Sequence, residues 1–377
     1  MVTIRTCPSY QEETISAALR QALADIGGLD AYARPGETVL LKVNLVMGKG
    51  PEAAATTHPA LVSALARLLI AHGCRVLIGD SPGGPFNAVM LRRVYHLTGM
   101  DRAAAASGAE LSYSTETKTI SCAAGKILKS LTVTAMSQEV DKVISVCKLK
   151  THGMMTYTGA AKNMFGTIPG TVKAEYHVRM PKMEDFADAL LDICEATRPV
   201  LSIMDAVIGM EGNGPTGGSP RKIGALLASP SPYELDLAAA HLIGLGKEQV
   251  LTLQKAAERA LAPAVFAELS LAGDPPERFM IPDFKLPDHI HADVSANGFL
   301  PKWLMQWTRP KVRVDPQRCV GCGDCAANCP AKVITMKNRR PVVDYRRCIR
   351  CYCCQELCPR TAVSVKESWI FKIANRL

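Results

Sequence analysis

Cysteines are concentrated near the C-terminal end of this sequence, in two runs of identical spacing. Nine of the 14 cysteines lie between residues 319 and 358. Each run reads C-x2-C-x2-C-x3-C-P, and Cys348 repeats Cys319 at an offset of 29 residues. Two-residue gaps let one tight loop direct three thiolates at one inorganic group, and the proline turns the fourth thiolate elsewhere. This is the spacing by which bacterial ferredoxins bind two [4Fe-4S] clusters and exchange the fourth cysteine.

The exchange divides the eight cysteines into two predicted ligand sets. The first cluster takes Cys319, Cys322, Cys325 and Cys358, and the second takes Cys348, Cys351, Cys354 and Cys329. Residues 311–367 thus resemble a two-cluster bacterial-type ferredoxin. The alternative is a structural zinc module, but zinc needs only four ligands per site and does not explain two runs that each end in proline. Cys353 lies outside the spacing and is interpreted as a buried thiol.

The first 260 residues alternate between strand-like and helical patterns. Apolar runs at 38–46, 74–80, 140–147 and 199–207 predict strands, and helical spacing appears at 59–72, 87–97, 183–196 and 232–243. This alternation predicts an α/β domain with a mainly parallel sheet, joined to a small α+β ferredoxin-like domain. The predicted boundaries are 1–262 for the α/β domain, 263–310 for a proline-rich packed connector, 311–367 for the ferredoxin domain and 368–377 for an amphipathic tail.

Polar residues follow or end several of the predicted strands. In open α/β sheets, ligands bind beyond the carboxyl ends of parallel strands, so these side chains are expected to converge. The candidate catalytic residues are Lys150, His152, Lys162 and Asp205. The candidate substrate-binding residues are Lys42, Asn44, Asp80, Ser81, Lys148, Thr151, Asn163, His177, Arg179, Glu211 and Asn213.

Three of these strings are distinctive together: K-x-K-T-H-G at 148–153, G-A-x-K-N-M-F-G at 159–166 and D-A-x-x-G-M-E-G-N-G-P at 205–215. They resemble the domain of unknown function 362 family over about residues 38–244. Many members of that family carry a C-terminal two-cluster ferredoxin module. The resemblance implies this architecture and cluster content and points to redox chemistry, but the family's reaction is not generally assigned.

Simpler structural interpretations of the same strings stay open. Residues 80–84 could form a plain β-turn, residues 212–218 a flexible surface loop, and Lys162 could be a solvated lysine on a helix. The glycines match neither a P-loop nor a dinucleotide fingerprint. His152, between lysines just past a predicted strand, favours a functional role, whereas His177 and Arg179 fit both interpretations equally.

A pocket that gathers the candidate lysines would be cationic and would suit a small anionic substrate such as a carboxylate or phosphate. Asp80, Asp205 and Glu211 could pair with those cations, transfer protons or bind a divalent ion. A flavin or a divalent metal is compatible with the pattern, but no motif supports either. The substrate, the direction of electron flow and the oligomeric state stay open.

Charge and composition narrow the partners. Residues 302–377 contain 16 Lys and Arg against 5 Asp and Glu. We interpret this charge as an offset to thiolate-bound clusters that also steers an acidic low-potential carrier of the ferredoxin or flavodoxin type, rather than as a nucleic-acid site. No apolar run of membrane-spanning length and no secretory signal is evident, so a cytoplasmic location and no membrane span are expected.

Three functional hypotheses follow. The first is an oxidoreductase, with an expected role in anaerobic metabolism, that passes electrons from the clusters to a substrate in the α/β crevice. The second is an electron-transfer subunit whose α/β domain docks a partner enzyme. The third is a non-redox ligand-binding protein with structural or sensing clusters. The first is favoured because a carrier alone needs only about 60 residues, whereas this chain keeps a large domain rich in polar motifs.

Overall fold

The computed structural model describes residues 1–287 and 311–366. In the N-terminal part the strands are β1 Val2–Thr6, β2 Thr38–Val43, β3 Arg75–Gly79, β4 Glu110–Leu111, β5 Thr117–Ser121, β6 Ser130–Thr134, β7 Lys142–His152, β8 Thr156–Thr158, β9 Leu201–Glu211, β10 Ser219–Ser229 and β11 Leu271–Gly273. The helices there are α1 Glu12–Asp25, α2 Pro59–Ala71, α3 Ala88–Thr98, α4 Met100–Ser107, α5 Ala160–Asn163, α6 Val172–Arg179, α7 Met183–Thr197, α8 Pro232–Leu242 and α9 Leu251–Glu258. The C-terminal part contains β12 Lys311–Val314, α10 Asp324–Ala327, β13 Ile334–Lys337, β14 Arg340–Val343, α11 Cys353–Glu356 and β15 Val363–Lys366.

The centre of the larger domain is one mixed, mainly parallel sheet. Among the described residues its strands run in the order β11-β1-β10-β9-β7-β2-β3-β4, and β8 pairs with β7. The neighbours β3, β2, β7 and β9 are mutually parallel. Their carboxyl ends therefore meet at one edge of the sheet, as the sequence predicted, and the α/β fold class is confirmed.

Hydrophobic burial on both faces explains why these strands read as apolar runs. On one face of β2, Leu41 and Val43 pack with α1 and α2. On the other face, Leu40 packs with α7. Strands covered on both sides by helices need apolar residues on both faces. β7 is buried along nearly its whole length for the same reason.

Two strands extend further than the sequence pattern suggested. β7 continues through Lys150 to His152, so the K-x-K-T-H segment is strand rather than the turn after it, because residues 150–152 pair with β8. β9 likewise continues to Glu211, where it pairs with β10. The polar residues at these strand ends pair through their backbones, so the strands continue after the apolar pattern has stopped. Hydrophobicity alone therefore predicted both strand ends too early.

The segment after residue 262 packs on the larger domain as far as residue 287. β11 pairs in parallel with β1. Phe279 and Phe284 are buried in the core beside α8. The remaining aromatics of the predicted connector, Phe299, Trp303 and Trp307, and the tail from 368 lie outside the described residues, and the domain boundaries stay a prediction.

The smaller domain consists of two similar halves. β12 pairs with β15, and β13 pairs with β14. Each half places a short helix, α10 or α11, before its Cys-Pro step, which agrees with the α+β ferredoxin-like class predicted from the repeat. None of the helices in residues 1–287 and 311–366 combines the length and apolar character needed to cross a bilayer.

Candidate functional site

The cysteines of the smaller domain surround two separate cavities. One cavity is lined by the first predicted ligand set, Cys319, Cys322, Cys325 and Cys358. The other is lined by the second set, Cys348, Cys351, Cys354 and Cys329. Each fourth cysteine thus lies with the three cysteines of the opposite run, which is the exchange that the repeat predicted.

Backbone amides in both halves point at the sulfur of the fourth cysteine. Val333 N donates to Cys329 Sγ at 3.5 Å, and Ala362 N donates to Cys358 Sγ at 3.2 Å. Such N–H···S bonds are a feature of iron–sulfur sites, where they tune the reduction potential. The grouping of the sulfurs and these amides fit two [4Fe-4S] clusters. In the described residues no group of three or more His, Cys, Asp or Glu side chains is arranged to bind a single metal ion.

A cavity of about 490 Å³ lies where the smaller domain meets the carboxyl edge of the parallel strands. Ten of the fifteen candidate residues of the larger domain line it: Lys42, Asn44, Asp80, Ser81, Lys150, His152, Lys162, Asn163, His177 and Arg179. From the smaller domain, Cys329, Cys353 and Glu356 line the same cavity. The cavity therefore adjoins the second cysteine set directly.

The floor of the cavity is a buried ion pair. Lys42, near the end of β2, lies 2.8 Å from Asp80, which follows β3. Asp80 also accepts hydrogen bonds from the amides of Leu45 and Ser81, at 2.8 Å each. Burial lowers the pKa of Lys42, and Asp80 opposes that shift. Because both charges are compensated, this pair positions the strand ends rather than presenting free charge.

Helix α5 brings the G-A-A-K-N-M-F-G segment to this floor. Asn163 accepts from Lys42 Nζ at 3.2 Å and donates to Lys42 O at 3.0 Å. Buried Asp236 accepts from the amides of Ala160 and Ala161, at 2.6 and 3.0 Å, and so satisfies the start of α5. A Cβ on Gly166 would lie 2.2 Å from Asp80 Oδ1, so only glycine fits there.

Three lysines of the cavity have no carboxylate of the described residues within hydrogen-bond distance. Lys150 donates to Asn44 Oδ1 and to Ala55 O, each at 2.5 Å. Lys173 donates to the carbonyl and hydroxyl oxygens of Ser81. Lys162 contacts the Phe165 ring face, 5.9 Å from its centroid.

Burial lowers the pKa of each of these three lysines. The pKa of Lys150 and that of Lys173 fall to about 7, and the pKa of Lys162 is also lowered. For Lys150, the Lys162 cation adds to the lowering. A bound anion would restore the charged form of all three lysines.

His152 presents a ring nitrogen to this cluster of lysines. Its Nδ1 accepts from the amides of Met154 and Met155, at 3.1 and 3.2 Å. This assigns the proton of the neutral ring to Nε2, which lies 3.9 Å from Glu356 Oε2 of the smaller domain. His152 can therefore donate a hydrogen bond from Nε2.

His177 lies on α6 beside the same cavity. Its ring stacks on Phe186 at a centroid distance of 4.7 Å, and its buried Nδ1 has no hydrogen-bond partner in the part of the chain that the structure describes. Burial, reinforced by the Lys162 cation, lowers the pKa of His177 to about 4, so the ring is neutral at physiological pH. Arg179, two residues on, lines the rim, where it is 74% exposed and paired with Glu175.

Five candidate residues lie outside the cavity lining. Lys148 and Asp205 form a buried ion pair of 2.9 Å, and Tyr10 bonds to both. Thr151 donates to Gly212 O, and Glu211 accepts from Lys285 N. Asn213 lies in the loop after β9. These five residues are not among those that line the cavity. For Thr151 the reason is strand geometry: it lies between Lys150 and His152 on β7, and alternate side chains of a strand point to opposite faces.

Sequence reasoning overlooked Lys173, and it did not assign Cys353 to the cavity. Lys173 precedes His177 by four residues on α6, so the two side chains share one helix face, and this spacing could have found it. Cys353, interpreted above as a buried thiol, does not belong to either predicted ligand set, but it lines the main cavity. Residues 212–218, interpreted above as a flexible loop, instead pack against the smaller domain through Thr216.

This chain is similar to several known proteins. A relative from Synechocystis sp., named as a thylakoid-associated protein, is 31% identical over 291 residues, which cover 76% of this chain and 88% of the relative. Among solved structures, the lactate racemase apoprotein of Thermoanaerobacterium thermosaccharolyticum has 12% identity and a TM-score of 0.39 over 61% of this chain and 54% of its own. A Thermotoga maritima protein has 14% identity and a TM-score of 0.32 over 55% of this chain and 52% of its own. This chain thus spans about half the length of each solved structure.

Two family models match this chain. The domain of unknown function (DUF362) matches residues 39–241, and a 4Fe-4S dicluster domain matches residues 311–359. The resemblance drawn from the polar strings and from the cysteine repeat is therefore confirmed. The chain belongs to the DUF362 family and carries a C-terminal 4Fe-4S dicluster domain.

Proposed function

We propose that this protein is an iron–sulfur oxidoreductase that reduces a small anionic molecule bound in the 490 Å³ cavity. The observation that carries the proposal is the position of that cavity. Cys329 of the second cysteine set lies in one wall, and lysines from β7, α5 and α6 lie in the other. An electron donor and an anion site would then be in contact.

The lysines supply the binding chemistry. Lys150 is buried and Lys162 and Lys173 are half-buried, and none of the three has a carboxylate partner among the described residues. In a site of low polarity such cations bind a carboxylate or phosphate group strongly. They would also stabilise negative charge as the substrate is reduced. The clusters, when bound, supply single electrons, which an acidic low-potential carrier of the ferredoxin or flavodoxin type replenishes.

Hydrogen-bond donation to the substrate is assigned to His152. Its Nδ1 is occupied by two backbone amides, which fixes the ring and directs Nε2–H into the cavity. A neutral imidazole that released this proton would become an imidazolate, so Nε2–H serves to stabilise negative charge on the reduced substrate. Lys150, whose pKa of about 7 suits proton transfer near neutral pH, can supply the proton. Asp205, another candidate catalytic residue, is held by Lys148 away from the cavity and is not assigned a role in the reaction.

An electron-transfer subunit is the second candidate, and one observation favours it. Four thiolates make each cluster anionic, so lysines beside the second set could serve only to offset that charge. In that case the cavity would bind no substrate, and the α/β domain would dock a partner enzyme.

Turnover of oxygen-free protein distinguishes the two. Reduced methyl viologen is mixed with the full-length chain and a panel of small carboxylates and phosphate esters, and viologen oxidation is followed optically. We expect at least one compound to be reduced, and Lys162→Met and His152→Leu to abolish that turnover while iron content is unchanged. Lys118→Met, on an exposed strand, is the matched control and should retain turnover.

The enzyme proposal is overturned if no compound of the panel causes viologen oxidation while electrons pass rapidly to a second protein. Wild-type turnover in both cavity variants would refute the assigned roles of Lys162 and His152.

The location of the protein in the cell is also a proposal. The sequence predicts a cytoplasmic protein. The relative in Synechocystis is named as thylakoid-associated, so a peripheral position on a membrane would also fit. Fractionation of cell extracts with and without high salt separates a free protein from one bound electrostatically to a surface.

A further inference from the structure

The contact between the two domains contains a lysine that the substrate cavity does not use. Lys49 follows β2 in the larger domain, and its Nζ donates to Thr216 O at 2.6 Å and to Thr361 Oγ1 at 3.1 Å. Thr361 belongs to the smaller domain, three residues after Cys358. Thr361 N donates to Cys358 O at 3.1 Å. Thr361 thus links Lys49 to a cysteine of the first set, because it forms hydrogen bonds with both residues.

The repeat shows why a cation from outside is needed there. The position equivalent to Thr361 in the first half is Lys332, and both residues have a left-handed φ of 51°. Lys332 N also donates to Cys329 O at 3.1 Å. The turn after the second set's fourth cysteine therefore has a lysine of its own. The turn after the first set's fourth cysteine has a threonine, and the neighbouring domain supplies the lysine.

Charge and burial indicate what this arrangement does. Burial lowers the pKa of Lys49, and the Cys358 thiolate raises it, so the two groups interact electrostatically. Reduction adds one negative charge to a cluster, and a nearby cation stabilises the reduced form more than the oxidised form. Partial burial weakens solvent screening of that interaction.

We propose that Lys49 of the α/β domain sets the reduction potential of the first [4Fe-4S] cluster, so that docking of the two domains makes that cluster easier to reduce. This inference rests on the cluster assignment of the proposed function. It makes Lys49 a positioning residue for electron flow, distinct from the lysines of the cavity.

EPR-monitored redox titration of oxygen-free, full-length protein tests the proposal. Cys322→Ser, which alters a ligand of the first set, identifies the first cluster's signal. We expect Lys49→Gln to lower the reduction equilibrium constant of that cluster about tenfold, which for a one-electron couple is about 59 mV. The second cluster should be unchanged, and Lys49→Arg, which keeps the charge, should titrate like wild type.

A second variant separates charge from loosening of the domain contact. Thr216 Oγ1 donates to Glu356 O at 2.8 Å, and Thr216→Val removes that bond without changing charge. The proposal predicts no shift for Thr216→Val. It is overturned if Lys49→Gln leaves the first cluster's potential unchanged, if both clusters shift equally, or if Thr216→Val gives the same shift. Absence of any cluster signal in wild type would instead reject the cluster assignment itself.

Discussion

Replacement of Gly166 by alanine tests the packing beneath the cavity. A Cβ at this position would lie 2.2 Å from Asp80 Oδ1 and 2.4 Å from Lys42 Nζ. Neither neighbour can swing into solvent, because Lys42 and Asp80 are 0% and 3% exposed. Overpacking a site of this kind costs about 1–3 kcal/mol. If the methyl group separates the ion pair, the loss rises to about 3–5 kcal/mol, because a buried charge is left uncompensated.

The assay is urea unfolding of oxygen-free protein, followed by far-UV circular dichroism at equal iron content. Gly246→Ala is the matched control. Its nearest new neighbour is the flexible end of Glu248, 2.8 Å away, which can move. The control should unfold within about 0.5 kcal/mol of wild type. Equal midpoints for the Gly166→Ala and Gly246→Ala variants would refute the reasoning that Gly166 is required for the ion pair.

Three further predictions concern the cavity and its wall. Lys162→Met should weaken sulfate binding, measured by calorimetry, by about 1.5–3 kcal/mol, and unchanged affinity would exclude Lys162 from the anion site. Because burial lowers the pKa of Lys150 and Lys173 to about 7, sulfate affinity should fall as pH rises from 6 to 9. Between about pH 7 and 10 these lysines are protonated in the unfolded chain but neutral in the folded chain, so the unfolding free energy should rise with pH over this range. A sulfate affinity that does not change with pH would contradict the assignment of Lys150 and Lys173 to the anion site. The Cys353 thiol donates a hydrogen bond to the Cys351 sulfur. Cys353→Ala removes this bond and should make the reduction potential of the second cluster more negative. A shift of the first cluster alone would contradict this contact.

The spacing of residues along the chain was enough to predict the cysteine sets and part of the cavity. Ligands of an iron–sulfur loop are close along the chain, so the repeat alone grouped Cys358 with the Cys319 run, and the structure places them around one cavity. The convergence of Lys42, Asp80 and Lys150 also followed from the sequence, because parallel strands bring their carboxyl ends to one edge whatever their separation along the chain.

Side-chain direction at the strand ends could not be predicted in the same way. β7 and β9 run on past their apolar segments, which places Lys148 and Asp205 in register with each other and away from the cavity. Hydrophobic periodicity does not show where a strand with polar residues ends. The contribution of the smaller domain was also hidden, since Glu356 and Cys353 reach the cavity only through docking of the domains.

Anomalous X-ray diffraction from an anaerobic crystal, recorded at the iron and zinc edges, tests the central claim most directly. The account predicts two four-iron peaks, one within each cysteine set, with the second beside the cavity that Lys162 lines. A single zinc peak in each cysteine set, or iron bound away from Cys329 and the Cys348 loop, would contradict it.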